Sequence, residues 1–372
     1  MLRMGFIVNP LAGIGGRLGF KGSDGALAAR ALTLGAELVA PRRAREFAEA
    51  LQPVVEILTP PGKMGEESLR GTQHEGRYEV VRCVSERAWP TVAADTKRCA
   101  RRMEAEGVDL IVFVGGDGTA RDVLDSIDGR VPALGVPSGV KVFSAVFAVN
   151  PRSAARIVES FARGLRVTVE REVLDVDEDA YRRGELRVRL FGYMRVPESD
   201  LLVASGKEVY TGVSEEEDME AIARYFRELV EECTLYILGP GRTIERIAEH
   251  LGVEKTLLGV DAVHNGVLLG RDLDERAILS LIDRHKGKVK IVLSPIGGQG
   301  YILGRGNQQI SPEVVRRVGK GGIIVVATPS KLSRLKVLRV DTGDYQVDEM
   351  LRGPIRVITG YRRESVVRVE TE

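Results

Sequence analysis

Through its first 165 residues the chain alternates short apolar runs with longer segments of helical periodicity, the pattern of a parallel sheet with crossover helices. Met4–Asn9, Val54–Thr59, Tyr78–Cys83, Leu110–Val114 and Pro132–Val136 read as strands. Leu110–Val114 is apolar at every position, as a central strand covered on both faces is. Ala26–Leu34, Arg42–Leu51, Thr91–Glu106 and Ala120–Ile127 read as helices. Beyond residue 165 the period changes. Arg166–Asp177 and Gly184–Val196 alternate apolar and polar residues, which predicts antiparallel strands with one solvated face. Ser199–Asp218, with Gly206, Gly212 and the acidic run Glu215-Glu216-Glu217-Asp218, reads as a loop or linker. A second βαβ-like stretch follows, with strands at Thr234–Leu238, Thr256–Val260, Val289–Ser294 and Ile323–Ala327 and helices at Ile244–Leu251 and from Pro312. The predicted fold class is α/β. A Rossmann-like parallel-sheet domain spans residues 1–165, and a second domain, mixed β-rich and α/β, spans 166–372. A return of the C-terminal segment to the first domain stays open.

The length of 372 residues fits two domains, and the balance of 44% hydrophobic to 29% charged residues excludes a wholly disordered chain. With 54 Lys+Arg against 53 Asp+Glu the net charge is +1, which argues against a chain that coats nucleic acid or an anionic membrane. No apolar run reaches the roughly 20 residues of a membrane span. The N-terminal run Met1–Val8 carries no cleavage site, so a cytoplasmic location is expected. Cys83, Cys99 and Cys233 are too few and too scattered for a disulfide framework or a zinc site, and the four His residues show no metal-ligand spacing. Asn and Gln are scarce, which fits a thermophile, while the bias toward Arg has genome composition as an equal explanation.

Chemistry enters with the glycines. Gly-rich loops directly after apolar strands put backbone N–H groups and helix N-termini at the carboxyl end of a sheet, where anions bind. In Val114-Gly115-Gly116-Asp117-Gly118-Thr119 the glycines remove Cβ atoms that would block a polyphosphate. A carboxylate at the centre of such a cradle would repel its ligand unless it holds Mg²⁺ or accepts a proton from an attacking hydroxyl. A solvated turn residue is the plainer alternative for Asp117. No Gly-Lys-Ser/Thr follows, so the loop is not a Walker A motif.

Together with Asn9-Pro10-Leu11-Ala12-Gly13-Ile14-Gly15-Gly16 after the first strand, this loop resembles the NAD kinase and diacylglycerol kinase superfamily. Lys21-Gly22-Ser23-Asp24-Gly25, Ser294-Pro295-Ile296-Gly297-Gly298-Gln299-Gly300, Gly304-Arg305-Gly306-Asn307-Gln308-Gln309 and Thr328-Pro329-Ser330-Lys331-Leu332 look most like ATP-NAD kinase-like proteins of the AcoX type. The similarity extends over essentially the whole chain.

The resemblance implies Asp117 as the catalytic and metal-organising carboxylate. It sets Gly115, Gly116, Gly118 and Thr119 on the phosphates of ATP, with Asn9, Gly13, Gly15 and Gly16 as secondary nucleotide contacts. The superfamily's Gly-x-Asn-x-Gly loop falls at Gly135–Lys141, here without the Asn, and leaves Ser138, Gly139 and Lys141 as candidates. Lys141 would neutralise a transferring phosphate or serve as an ordinary surface lysine. Gly297, Gly298 and Gln299 are candidates for an interdomain cleft. Asn307, Gln308 and Gln309 cluster amides suited to a polar substrate. Gly239-Pro240-Gly241-Arg242-Thr243 suits either a phosphate or a plain helix start, and Asp261 either a ribose hydroxyl or a strand end. The implied activity is Mg²⁺-dependent transfer from ATP, or polyphosphate, to a hydroxyl of NAD, giving NADP. The missing Asn keeps a sugar, polyol or lipid-like alcohol open as acceptor. A non-catalytic nucleotide- or phosphometabolite-binding regulator is the alternative outside the enzymes. Small-molecule substrates, neither nucleic acid nor membrane as partner, and a homo-oligomeric assembly are expected.

Overall fold

Five apolar runs of the N-terminal half pair into one sheet: β1 (Leu2–Val8), β2 (Val55–Thr59), β3 (Tyr78–Val80), β4 (Leu110–Gly115) and β5 (Ala133–Pro137). Their order is β3-β2-β1-β4-β5, and every pairing is parallel. Parallel neighbours need crossovers. These run through α1 (Gly25–Thr33) and α2 (Val39–Ala50), α3 (Glu66–Leu69), α4 (Ala93–Ala105) and α5 (Asp117–Ile127), with α6 (Pro151–Ala162) following β5. Alternate residues of β1 show how the helices divide, because successive strand side chains point to opposite faces. Phe6 stacks on Phe47 of α2 with ring centroids 5.4 Å apart, whereas a Cβ on Gly5 would lie 2.7 Å from the sulfur of Met103 in α4. Helices α2 and α6 pack together on the first face, α4 and α5 on the second. The crossover from β1 therefore leaves toward one face and that from β4 toward the other. Such a topological switch point between parallel neighbours opens a crevice at their carboxyl ends.

The structure is a computed structural model and describes all residues except 21–24, 86–88, 128, 139–141, 177–187, 203–212, 297–299, 336 and 372. The chain divides into two units, Met1–Gly15 with Lys21–Gly206 and Gly16–Phe20 with Lys207–Glu372. The hairpin of β6 (Thr168–Val176) and β7 (Val188–Pro197) is antiparallel, as its alternation predicts, and packs on α5 and β5. It belongs to the first unit, so the division falls one hairpin later than the change of pattern at residue 165.

The second unit carries a nine-stranded sheet in the order β10-β9-β8-β11-β13-β15-β16-β14-β12. The strands are β8 (Leu235–Leu238), β9 (Asp261–His264), β10 (Val267–Gly270), β11 (Val289–Leu293), β12 (Tyr301–Leu303), β13 (Ile323–Val326), β14 (Leu338–Val340), β15 (Gly353–Gly360) and β16 (Arg363–Glu370). At its centre β8, β11, β13 and β15 are parallel. Tyr236, Leu238, Val292 and Val326 pack against α7 (Val213–Glu228) and α8 (Arg242–His250). The alternate residues Ile237, Ile291, Leu293 and Val325 pack against α9 (Glu275–Arg284), α10 (Pro312–Val318) and α12 (Tyr345–Leu351). Short α11 (Pro329–Ser333) follows β13. The C-terminal strands β15 and β16 pair with each other inside this sheet.

Three expectations are corrected. Residues 213–218, read as linker, open helix α7, with Glu215 and Glu216 in its first turn where the helix dipole favours acidic side chains. Thr256–Val260 is loop rather than strand, and the strand starts at Asp261 and runs antiparallel to β8. The buried Cys83 and Cys99 form a disulfide that ties the chain beyond β3 to α4, while Cys233 is free and exposed. None of the described helices is long and apolar enough to cross a membrane.

Candidate active site

The two N-terminal loops meet at the switch point of the first sheet. Asn9, the residue after β1, donates its N–H to the carbonyl of Val114 in β4 at 3.0 Å. Its side-chain Nδ2 donates to Thr119 Oγ1 at 3.0 Å, and its Oδ1 accepts the N–H of Leu11 at 3.3 Å. One amide thus closes an Asx turn on its own loop and latches that loop to the start of α5. The conformation of the loop beyond requires Gly13, whose φ is 78°.

Gly115 has a different reason from the one its motif suggests. A Cβ there would lie 2.3 Å from Thr119 Oγ1, so the glycine admits the threonine that Asn9 holds. At Gly118 a Cβ would meet nothing within 4 Å, leaving that side of the loop open. The carbonyl of Gly115 accepts the N–H of Ser138, the residue after β5, at 3.0 Å. Ser138 is wholly buried, and its hydroxyl has no hydrogen-bond partner among the described residues. A buried hydroxyl without a partner costs about 1–3 kcal/mol, a cost a bound oxygen ligand would remove.

Asp117 is the first residue of α5 and stands at the carboxyl edge of β4. Its two oxygens accept main-chain N–H groups, Oδ2 from Phe143 at 2.9 Å and Oδ1 from Ser144 at 2.8 Å. Ser144 is held in turn by β6, because its Oγ accepts the N–H of Leu174 at 2.9 Å and the next residue, Ala145, donates to the Glu172 carbonyl at 3.0 Å. The hairpin therefore fixes the segment that aims the carboxylate. Helix α5 is anchored from behind by Lys97 of α4, whose Nζ lies 2.7 Å from Asp125 and 3.6 Å from Asp122. Burial pushes the Asp122 carboxyl above its ordinary range, and Lys97 works against that shift. Phe143 and Ser144 escaped the sequence reading because backbone donors leave no side-chain signature.

Other predicted residues lie in the second unit. Gly16 packs on Gln308, since a Cβ at Gly16 would fall 1.4 Å from Gln308 Oε1. Buried Asn307 spends its amide on its own loop, accepting from Gly304 N at 3.1 Å and donating to the Ile302 carbonyl at 2.8 Å. Asp261 accepts from Thr256 N, Thr256 Oγ1 and Asp272 N at 2.6–2.7 Å, which makes it the tether of the loop before β9. Gly139, Lys141, Gly297, Gly298, Gln299 and the Lys21–Asp24 run lie outside the described residues.

Among the described residues no group of three or more His, Cys, Asp or Glu side chains could hold a metal ion alone. A single carboxylate on a Gly-rich loop would suit Mg²⁺, which dehydrates reluctantly and is commonly held by one or two carboxylates plus substrate phosphates. Among curated proteins and solved structures, none is significantly similar to the chain. Residues 4–165 match the ATP-NAD kinase N-terminal domain, and residues 231–369 match the ATP-NAD kinase C-terminal domain. With both domains present in order, the chain belongs to the ATP-NAD kinase family.

Proposed function

We propose that this NAD kinase-like phosphotransferase takes NAD as its acceptor and makes NADP, within the AcoX-type branch of the family. The observation that carries the reading is Asp117, a carboxylate held by two backbone N–H groups beside the Asn9–Thr119 latch. ATP lies with its phosphates along Gly115–Thr119 and the Asn9–Gly15 loop, and the orphaned hydroxyl of Ser138 donates to a phosphate oxygen. Gly139 and Lys141, next in the sequence, would serve the same phosphates. Asp117, together with the substrate phosphates, would hold Mg²⁺, which would supply charge neutralisation.

In the reaction the acceptor hydroxyl oxygen bonds to the γ-phosphorus while the bond from that phosphorus to ADP breaks. Asp117 orients the hydroxyl and accepts its proton. Most of the acceleration comes from positioning and charge stabilisation, as is general for phosphoryl transfer. Gln308, with Gly297, Gly298 and Gln299, would serve the acceptor, whereas the amide of Asn307 is engaged within its own loop. A cytoplasmic, homo-oligomeric enzyme of a thermophile completes the reading, with polyphosphate as a possible second donor. The test is NADP formation by the purified chain with Mg²⁺ and either ATP or polyphosphate, beside sugars and polyols as competing acceptors. Phosphorylation of a sugar or polyol with no NADP overturns the acceptor, and unchanged ATP with every acceptor overturns the reaction.

A further inference from the structure

The second sheet has a switch point of its own that the kinase reading leaves unused. Strands β8 and β11 are parallel neighbours, with Leu238 opposite Val292. The chain leaving β8 enters α8, which packs with α7 on one face, whereas the chain leaving β11 passes through α10 on the other face. These exits diverge as those of β1 and β4 do, and doubly wound sheets receive ligands at the carboxyl ends of such strands. Parallel β13 ends in the same row, its Val325 opposite Leu293.

The side chains at this edge form a recognition set. Ser294, directly after β11 and 5% exposed, accepts a hydrogen bond from Lys331 Nζ at 3.3 Å. Thr328, after β13 and 1% exposed, donates from Oγ1 to a carboxylate oxygen of Glu215 at 3.3 Å and accepts the N–H of Lys331 at 3.4 Å. A lysine, two buried hydroxyls and a carboxylate therefore sit together at the exits of two adjacent strands. On the neighbouring exit, that of β8, Gly241 has φ 114° and a Cβ there would meet nothing within 4 Å. Arg242 then opens α8, whose N-terminus has no side-chain cap. Ammonium, guanidinium and hydroxyl groups suit phosphoryl oxygens, and a carboxylate suits a sugar hydroxyl.

We propose that this edge binds a nucleotide or sugar phosphate at a site separate from the Gly115–Thr119 loop. Lys331, Ser294 and Arg242 take the phosphate and Glu215 takes a sugar hydroxyl. The site stands whether or not Asp117 supports phosphoryl transfer. Calorimetric titration of the full chain with AMP, NAD and inorganic phosphate tests it, in wild type, Lys331→Met, Arg242→Gln and Asp117→Asn. Affinity for AMP or NAD falls about tenfold in Lys331→Met and severalfold in Arg242→Gln, and the part lost in these two persists in Asp117→Asn. An unchanged KM for NAD with weakened AMP binding identifies a ligand separate from the kinase reaction, and a KM for NAD that rises in parallel overturns that separateness. Wild type that binds none of the three probes, or affinities within twofold of wild type in both variants, overturns the proposal. Arg242 is exposed, so Arg242→Gln decides the matter should Lys331→Met fail to fold.

Discussion

Asp117→Asn is more than a loss of charge, because the carboxylate accepts from Phe143 N at 2.9 Å and Ser144 N at 2.8 Å. Asparagine keeps one oxygen and replaces the other with an NH₂ group, so one of these bonds becomes two donors facing each other. Losing a charge-assisted bond and stranding an N–H costs about 2 kcal/mol at a partly buried site. For a unit of this size that lowers Tm by about 4–8 °C. Loss of a general base costs a further 10²–10⁴-fold in kcat, on the order of what positioned side chains contribute. Calorimetry and NADP formation at saturating ATP read the two effects separately. Ser144→Ala supplies the control, because it removes only the hydroxyl that accepts Leu174 N at 2.9 Å. It should lower Tm by a few degrees and kcat far less than Asp117→Asn. A Tm within 1 °C of wild type in Asp117→Asn refutes the anchoring argument, and a kcat within threefold refutes the catalytic one.

Reducing the Cys83–Cys99 disulfide, which closes a loop of sequence separation 16, should lower the stability of the first unit by about 3 kcal/mol in urea titrations; an unchanged midpoint would show that the crosslink constrains nothing. Gly304→Ala should destabilise the second unit by 3 kcal/mol or more on an order-of-magnitude estimate, since φ is +89° and the Cβ would fall 1.7 Å from the backbone oxygen of Asp341. Gly321→Ala, where a Cβ meets nothing within 4 Å, is the control, and equal midpoints in both variants would sink the steric argument. His74, 1% exposed with Nε2 2.9 Å from the Leu51 carbonyl, has its pKa lowered chiefly by burial, with the Leu51 and Ala48 carbonyls pulling the other way. The unfolded chain, titrating near 6.5, then takes up the proton first. Stability is full above that pH and falls as pH drops toward the folded value. Replacing His74 by Gln should flatten that acid limb in urea midpoints measured at two or three pH values, and an unaltered limb would assign it to other groups.

The first sheet was legible because parallel strands buried on both faces carry unbroken apolar runs, and β1, β2, β4 and β5 fall where Met4–Asn9, Val54–Thr59, Leu110–Val114 and Pro132–Val136 predict. Elsewhere an apolar run misled where a polar tether outweighed it. Leu257, Leu258 and Val260 resemble a strand, yet Asp261 draws Thr256 and Asp272 onto its carboxylate and bends the chain there. The disulfide escaped notice because the approach of Cys83 to α4 is a tertiary fact that spacing does not encode. The candidate site divides along the same line. Its glycines and Asp117 stand out in one dimension, whereas the reason for Gly115 is the side chain of Thr119, and the donors that aim Asp117 are main-chain groups of 143 and 144. Winding is the deepest omission. An apolar stripe shows that a helix packs on a sheet, but the face it takes depends on which strand comes next and on the side from which it is approached. Switch points arise where that choice reverses between neighbours, at β1 and β4 in one sheet and at β8 and β11 in the other. Glycines after strands mark where a ligand could fit, and only the reversal of winding opens the crevice it would enter.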